Sequence, residues 1–145
     1  DATLLYVGIS PSVEGGHQNL RKRIRQHYRR DAESSTLRLS LGCLLEPVLG
    51  TTLRRVGSGK RLTFADREPA LSEWMEKNAL VVWKPCASPW REEEQLISRL
   101  SLPLNLDQNR QHAFAAILSA KRRAAKERAR SLPEWQAPDS SGDRT

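Results

Sequence analysis

Two short apolar runs set the limits on what this chain can fold into. Residues 4–9 carry a β-branched residue on each side of Gly8, and residues 80–83 read Leu-Val-Val-Trp. Both runs have the length and composition of a buried strand. Two strands are few for a sheet, so either residues 53–64 supply further strands or another strand lies upstream of residue 1.

Most of the remaining chain carries helical signals. Capping side chains, prolines at first helical positions and apolar residues at helical spacing predict five helices. They are expected over 19–30, from Ser34 or Ser35 to Leu45 before Pro47, from Pro69 onward, from Ser88 to Leu100, and over 111–130. Residues 53–64 indicate a loop or hairpin, and 133–145 a frayed tail from which Trp135 could dock back. The predicted fold class is α+β, or a small α/β domain, with a basic C-terminal helix.

The net charge of +7 is unevenly distributed. Residues 20–30 hold six Lys/Arg and no acid, residues 121–130 hold six against Glu127 alone, and the rest holds 12 basic and 16 acidic residues. Concentrated positive charge attracts phosphate backbones through counterion release. A single basic helix is as readily a solvated face. Two such segments favour nucleic acid as the partner.

Composition also bears on compartment. No stretch approaches the roughly 18 consecutive apolar residues that a membrane span needs. The first residues lack a basic segment leading into an apolar run, so a cytoplasmic protein with no membrane segment is expected. Cys43 and Cys86 have no cysteine or histidine at metal-ligand spacing, which predicts two reduced and mostly buried thiols.

Five side chains have the chemistry that phosphodiester hydrolysis requires, namely an activated water and neutralised phosphoryl charge. Arg23 is the candidate phosphate-binding cation, and His27 follows it by one helical turn. Glu93 is the candidate metal ligand, because one carboxylate with phosphate oxygens and waters can hold Mg²⁺. Asn105 would orient the backbone or a phosphate oxygen. Tyr6 would position or deprotonate water.

Each of these residues also has a purely structural interpretation. Tyr6 could be a core aromatic, and His27 a charge at a helix end. Glu93 stands in the first turns of a predicted helix, where acids favour the helix dipole without any metal. Asn105 follows a proline turn, which such side chains often close. Only the order and spacing of the five residues distinguish the two interpretations.

Over about residues 1–110, that order resembles the GIY-YIG nuclease family. The matching phrases are the strand Tyr-Val-Gly at 6–8, the helix pattern Asn-Leu-x-x-Arg-x-x-x-His at 19–27, Glu-x-x-Leu-Ile at 93–97 and Pro-x-Asn at 103–105. The resemblance implies an Mg²⁺-dependent DNA endonuclease. It implies Glu93 as the metal ligand and, as catalytic residues, Tyr6, Arg23, His27 and Asn105.

The resemblance also sets expectations for the organisation of the chain. The family's first tyrosine belongs to a strand that precedes the one with Tyr6, and we expect that strand upstream of Asp1. Residues 111–132 would form a basic helix packed on, or extending from, the 1–110 domain, and 133–145 a disordered tail. The inserted segment 12–18 lengthens the link to the first helix and could reshape the substrate groove.

Nucleic-acid contacts are predicted from both basic segments, at Arg21, Lys22, Arg25, Arg29, Arg30, Lys121, Arg122, Arg123 and Lys126. One alternative is a catalytically silent module on the same scaffold, which would hold DNA after metal is chelated. The reason for this alternative is that the family's first tyrosine is absent from these 145 residues. Another alternative is a protein-interaction domain whose basic helices bind an acidic partner.

Overall fold

The structure is a computed structural model that describes residues 1–138. Within that range the chain forms five α-helices and one two-stranded antiparallel sheet, which confirms the α+β prediction. The helices are α1 Leu20–Arg29, α2 Thr36–Leu49, α3 Glu68–Asn78, α4 Pro89–Arg99 and α5 Ala115–Ser131. The strands are β1 Arg54–Val56 and β2 Arg61–Thr63.

Side-chain caps fix where α1 and α2 begin. The side-chain oxygen of Asn19 accepts a hydrogen bond from the backbone N–H of Lys22, and the hydroxyl of Ser35 accepts one from that of Arg38. Each bond satisfies an N–H group that a helix start leaves without an internal partner. The predicted caps are therefore present, with Ser35 rather than Ser34 beginning α2.

The end of α2 differs from the prediction that Pro47 stops the helix near Leu45. The helix runs through Pro47 to Leu49 and ends at Gly50, whose φ is 64°. Pro47 lies in the last turn, so its missing N–H removes a single helical hydrogen bond. Gly50 closes the end because its N–H donates to the carbonyl of Glu46 at 2.8 Å, in a left-handed conformation that glycine adopts without strain.

The segment 53–64, predicted as a loop or a hairpin, is a hairpin. β1 and β2 pair antiparallel in the register Arg54 with Thr63, Arg55 with Leu62 and Val56 with Arg61. The connecting turn has positive φ at Gly57 and Gly59, 66° and 77°, which glycine adopts without strain. The two strands pair only with each other within residues 1–138.

The two runs that looked most like strands are not strands in the part of the chain that the structure describes. Residues 80–83 lie outside helices and strands, and Leu80 and Val82 are 87% and 86% exposed. Residues 4–9 also form no ladder; their backbone bonds instead to the turn after α4, where Leu104 N–H donates to the carbonyl of Leu5 at 3.0 Å. Apolar composition gives strand propensity, but a strand also needs a partner backbone.

The core lies between α2, α3, α5 and the hairpin. Its buried members include Leu39, Leu53, Phe64, Leu71 and Met75, together with small residues of α5. The Phe64 ring lies directly on α2 at Gly42, where an added Cβ would stand 2.0 Å from the ring. Alanines of α5, Ala125 and Ala129, allow that helix to approach the core closely.

The cysteine prediction is correct for one residue and wrong for the other. Cys43 is buried on α2, and burial raises the pKa of its thiol to about 11. Cys86 is exposed, because the segment around it packs against no other element. Both are free thiols.

The C-terminal segment contacts the hairpin, since the backbone N–H of Trp135 donates to the carbonyl of Arg55 at 2.8 Å. Residues 139–145, the rest of the predicted tail, lie outside the described residues. Across residues 1–138, no helix combines the length and apolar character that a bilayer crossing requires.

A buried ion pair ties the helices together near the end of α1. The side chain of Arg38 is fully buried, and its Nε and Nη2 donate to Oε2 of Glu68 at 3.1 and 2.5 Å. The other oxygen of Glu68 accepts from the backbone N–H groups of Ala32 and Phe64. Arg38 also donates to the carbonyl of His27. Every polar group in this network therefore has partners, as a buried charge requires.

Candidate active site

A cavity of about 710 Å³ opens where several separate parts of the chain meet. The N-terminal segment, α1, α4 with the turn that follows it, and α5 all contribute to its lining. Four of the five residues singled out from the sequence line it together: Tyr6, Arg23, Glu93 and Asn105. The α1 guanidinium of Arg23 and the α4 carboxylate of Glu93 thus line the same cavity.

Tyr6 reaches the cavity from an extended segment that lacks a neighbouring strand. Its ring packs edge-on against the ring of His27, with centroids 5.7 Å apart and planes at 81°. The ring also lies over Gly8, where an added Cβ would stand 2.9 Å from Cε1 of Tyr6. The glycine in the Tyr-Val-Gly phrase thus leaves space for the tyrosine ring.

His27 does not line the cavity but supports the residue that does. It is 8% exposed, and its Nδ1 lies 2.7 Å from the hydroxyl of Ser35. The pKa of His27 is lowered to about 4, mainly by burial and in addition by the positive charges of Arg23 and Arg38. His27 is therefore a neutral imidazole at pH 7, packed behind the ring of Tyr6.

Arg23 projects from the middle of α1 with much of its hydrogen-bonding capacity unused. Its Nη1 donates to the side-chain oxygen of Gln26 at 3.1 Å. Its Nε is buried and has no hydrogen-bond partner among residues 1–138. Arg23 lines the cavity and its Nη2 forms no hydrogen bond within residues 1–138, so the guanidinium can still donate to an anion there.

Glu93 lies on α4 across the cavity from α1. Burial raises the pKa of its carboxyl, the charge of Arg23 opposes that shift, and the charge of Asp107 adds to it. Asp107 also lines the cavity and was missed by the sequence reasoning. Its signal was an acid two positions after Asn105, in a turn that already held a candidate residue.

Asn105 joins the turn after α4 to the segment that carries Tyr6. Its side-chain oxygen accepts from the N–H of Val7 at 2.9 Å, and its side-chain nitrogen donates to the carbonyl of Val7 at 2.8 Å. This pair of bonds replaces the contacts that an adjacent strand would make. Of its two predicted roles, orienting the backbone is the one that these contacts match.

The basic residues of the two segments are placed differently. From α5, Arg122, Arg123 and Lys126 line the cavity, but Lys121 does not. Two further cations that the sequence reasoning did not select, Arg110 and Arg130, line it as well. None of the basic residues predicted on α1 to bind nucleic acid lines it, namely Arg21, Lys22, Arg25, Arg29 and Arg30; of these, Arg29 forms an ion pair with Glu76 at 2.6 Å.

The donor set of the cavity fits a magnesium ion that is held only partly by the protein. Among residues 1–138 no group of three or more His, Cys, Asp or Glu could enclose a metal. Glu93 and Asp107 offer carboxylate oxygens, the ligand type that Mg²⁺ prefers, and Mg²⁺ commonly keeps several waters and takes substrate phosphate oxygens. The cavity could therefore receive the ion together with a phosphodiester.

Comparison with known proteins gives one result. The family model described as the GIY-YIG catalytic domain matches residues 1–124, which include all the candidate residues discussed except the last part of α5. No curated protein and no solved structure matches the chain. The match indicates a nuclease-type function. Because it covers most of the 145 residues, the chain belongs to the GIY-YIG catalytic domain family.

Proposed function

We propose that this protein is an Mg²⁺-dependent DNA endonuclease that hydrolyses phosphodiester bonds in the cavity between α1, α4 and α5. One observation carries the proposal: Arg23, Glu93 and Tyr6, which lie far apart in sequence, line the same cavity. A guanidinium, a carboxylate and a phenol are the groups that a metal-assisted phosphodiesterase needs. Membership in the nuclease family supports the same reaction class.

Arg23 would bind the phosphate whose ester bond is cut. The terminal N–H groups of its guanidinium that have no partner within residues 1–138 can donate to phosphoryl oxygens, on which negative charge grows as water attacks. The guanidinium keeps its charge at any working pH. Arg23 would therefore stabilise the transition state more than the ground state, which is the condition for faster cleavage.

Glu93, with Asp107 beside it, would hold the metal ion. When bound there, Mg²⁺ would supply positive charge to the phosphoryl oxygens and the leaving oxygen. Because burial raises the pKa of Glu93, the nearby Arg23 helps to keep the carboxylate ionised and ready to bind a cation. These residues give the protein a defined place for the ion and leave its other positions to phosphate and water.

Tyr6 would position the attacking water or accept its proton. Neutral His27 holds the tyrosine ring edge-on, and Asn105 fixes the backbone one residue beyond it. Both contacts restrict the hydroxyl to one region of the cavity. Such restriction is worth much in catalysis, since small displacements of a reacting group lower rates strongly.

DNA is the proposed substrate because the cavity continues into a basic wall on α5. Arg122, Lys126 and Arg130 recur every four residues, so they form one row along the helix. Such a row can follow the phosphates on either side of the scissile bond. The functional division into a 1–110 nuclease unit and a DNA-holding helix over 111–132 belongs to this proposal, and a cytoplasmic location stays a prediction.

A plasmid-nicking assay tests the proposal. Supercoiled DNA incubated with the protein should become nicked with Mg²⁺ and stay intact with EDTA. The variant Glu93→Gln should lose cleavage at matched Mg²⁺, whereas Glu94→Gln, which changes an exposed acid one position further along α4, should cleave like the wild type. Equal nicking by Glu93→Gln and wild type would contradict the assigned site. DNA that is retained but never cut would indicate the catalytically silent alternative.

A further inference from the structure

Gln26 is the residue that holds the side chain of Arg23. Its side-chain oxygen accepts from Nη1 of Arg23 at 3.1 Å and from Nε2 of Gln18 at 2.8 Å. Its side-chain nitrogen donates to the backbone carbonyl of Ser34 at 2.6 Å. The amide is therefore fixed at both ends, with its oxygen directed toward the guanidinium.

The side chain of Gln26 is a neutral partner for Arg23. Among residues 1–138, no carboxylate forms an ion pair with Arg23, and Gln26 provides its only side-chain hydrogen bond. An amide oxygen can orient a guanidinium without cancelling its charge, whereas a carboxylate would compete with phosphate for it. The full positive charge thus stays available to an anion in the cavity.

The hydrogen bond to Gln26 restricts the orientation of the Arg23 guanidinium. A guanidinium is planar, so one hydrogen bond to Nη1 restricts the orientation of the remaining N–H groups. The bond to Gln26 occupies Nη1, while Nη2 forms no hydrogen bond within residues 1–138. The unpaired side of the group is therefore the side left for a ligand in the cavity that Arg23 lines.

We propose that Gln26 is a positioning residue for phosphodiester cleavage: its amide oxygen orients the Arg23 guanidinium toward the scissile phosphate while leaving its charge uncompensated. The proposal rests on the proposed function, since it assigns a role within the same site. Gln26 itself does not line the cavity and touches no reacting atom. Its effect passes through Arg23 alone.

The first experiment separates orientation from binding. Gln26→Met, which keeps the length of the side chain but removes the acceptor, should lower kcat by about 10- to 100-fold, because a displaced catalytic group loses rate steeply. The KM for DNA should change far less, since the α5 row provides most of the phosphate contacts. Gln26→Glu should also lower kcat/KM, because its carboxylate pairs with Arg23 and competes with phosphate.

A matched control addresses the structural alternative, in which Gln26 only anchors the turn before α2. Ser34→Ala loosens that same turn, because it removes the bonds between the Ser34 hydroxyl and the backbone of Asp31, yet it leaves the bond from Arg23 to Gln26 in place. Ser34→Ala should keep the wild-type kcat even if its melting temperature falls. Equal losses of kcat in Ser34→Ala and Gln26→Met would overturn the proposal.

A double-mutant cycle tests whether Gln26 acts through Arg23. In an Arg23→Ala background, adding Gln26→Met should change kcat by less than about twofold, because residues that act as a unit are not additive. A further loss as large as that in the wild-type background would show that Gln26 acts on something else, and would overturn the assignment.

NMR of the arginine Nε–H groups provides a measurement that does not depend on cleavage. The Arg23 signal, identified by its loss in Arg23→Lys, should show restricted motion in wild type, Ser34→Ala and Gln26→Glu, and increased motion in Gln26→Met. Unchanged relaxation in Gln26→Met would overturn the positioning role. Absence of cleavage by the wild type would instead contradict the proposed function, and the NMR result would still decide the role of Gln26.

Discussion

The two basic segments, residues 20–30 and 121–130, look equivalent in sequence but differ in the structure. Each contains six Lys/Arg. From the first, only Arg23 lines the candidate active site, while the second contributes Arg122, Arg123, Lys126 and Arg130. Each segment also has one arginine engaged within the protein, since Arg29 pairs with Glu76 and Arg128 pairs with Glu46. Equal charge therefore corresponds to different surroundings.

The difference follows from which helix face packs on the rest of the protein. On α5, Leu118, Ala125 and Ala129 are buried, and the row 122, 126 and 130 runs beside them toward the cavity. On α1, the inner side is taken by His27 and Tyr28, so that Arg23 alone lies at the edge of the site. A basic run thus indicates affinity for phosphate, whereas the position of the buried residues on the same helix determines which charges reach the site.

The largest effect is expected from Arg38, a cation near α1 that is structural and unavailable to DNA. Arg38→Met leaves Glu68 buried without its ion-pair partner, so the free energy of unfolding should fall by about 3–5 kcal/mol. Urea denaturation followed by circular dichroism measures it. Lys77→Met, which breaks an exposed pair with Glu73, should leave the unfolding midpoint unchanged. A midpoint in Arg38→Met equal to that of wild type would show that the buried pair contributes nothing to stability.

The next effect separates the two kinds of arginine within α1. Arg23→Ala should lower kcat for plasmid nicking by about 10²- to 10³-fold, the cost of losing one preorganised donor to a developing charge. Arg25→Ala removes the same charge two positions away, from an exposed side chain that does not line the cavity, and should cleave at close to the wild-type rate. Equal losses in both variants would mean that α1 acts through its total charge.

Local features of the fold could be predicted from the sequence, and pairings across it could not. Asn19 and Ser35 fix helix starts through bonds to their own helix, and Pro89 does so through its restricted φ, so the five helices were predicted close to their observed ranges. The runs 4–9 and 80–83 carry strand propensity, yet strand formation depends on a neighbouring backbone that no local pattern specifies. Their prediction as strands was therefore wrong for the described structure.

The candidate site shows the same division. Tyr6, Arg23, Glu93 and Asn105 were selected because their order and spacing form a recognisable pattern, and they do line one cavity. Asp107, Arg110 and Arg130 were missed, because their only distinction is their position around a cavity built from distant segments. The bond between Arg38 and Glu68, thirty positions apart, could equally not be predicted from the sequence. Residue types indicate which chemistry is available, but only the packing shows which residues lie in the same site.

A matched pair of triple variants tests the contrast between the helices directly. Changing Arg122, Lys126 and Arg130 to Gln removes the α5 row, and changing Arg21, Lys22 and Arg25 to Gln removes the same charge from α1. Each lost phosphate contact should reduce the slope of log Kd against log salt by about 0.9, so the α5 variant should lose about 2.7. The α1 variant should keep nearly the wild-type slope.

Fluorescence anisotropy with a labelled duplex in EDTA measures both slopes without cleavage. At 50 mM salt the α5 variant should bind more weakly than the wild type. The ratio of the variant's Kd to the wild-type Kd should fall by about 40-fold by 200 mM salt, because salt weakens in the wild type the contacts that the variant lacks. Identical slopes in the two triple variants would remove the distinction between the helices. A larger change in the α1 variant would place the DNA path along α1.

The smallest effect concerns His27, whose pKa is lowered mainly by burial and then by the charges of Arg23 on α1 and Arg38 on α2. In the folded protein the pKa of His27 is lowered to about 4, while in the unfolded chain it lies near its ordinary value of 6.5. Protons therefore bind preferentially to the unfolded chain as the pH falls below about 6.5, and this contribution to stability declines until the pH reaches the folded value. Between pH 7 and pH 5.5 the free energy of unfolding should fall by about 1 kcal/mol from this residue.

Urea denaturation at both pH values measures this loss, and His27→Phe, which keeps an aromatic ring behind Tyr6 but cannot titrate, should show a smaller decline by that amount. The same pH dependence in wild type and His27→Phe would mean that His27 takes up protons equally in the folded and unfolded chains. Burial and the cations of α1 and α2 would then not disfavour the protonated imidazole, and the contrast between the helices would be reduced to the position of Arg23.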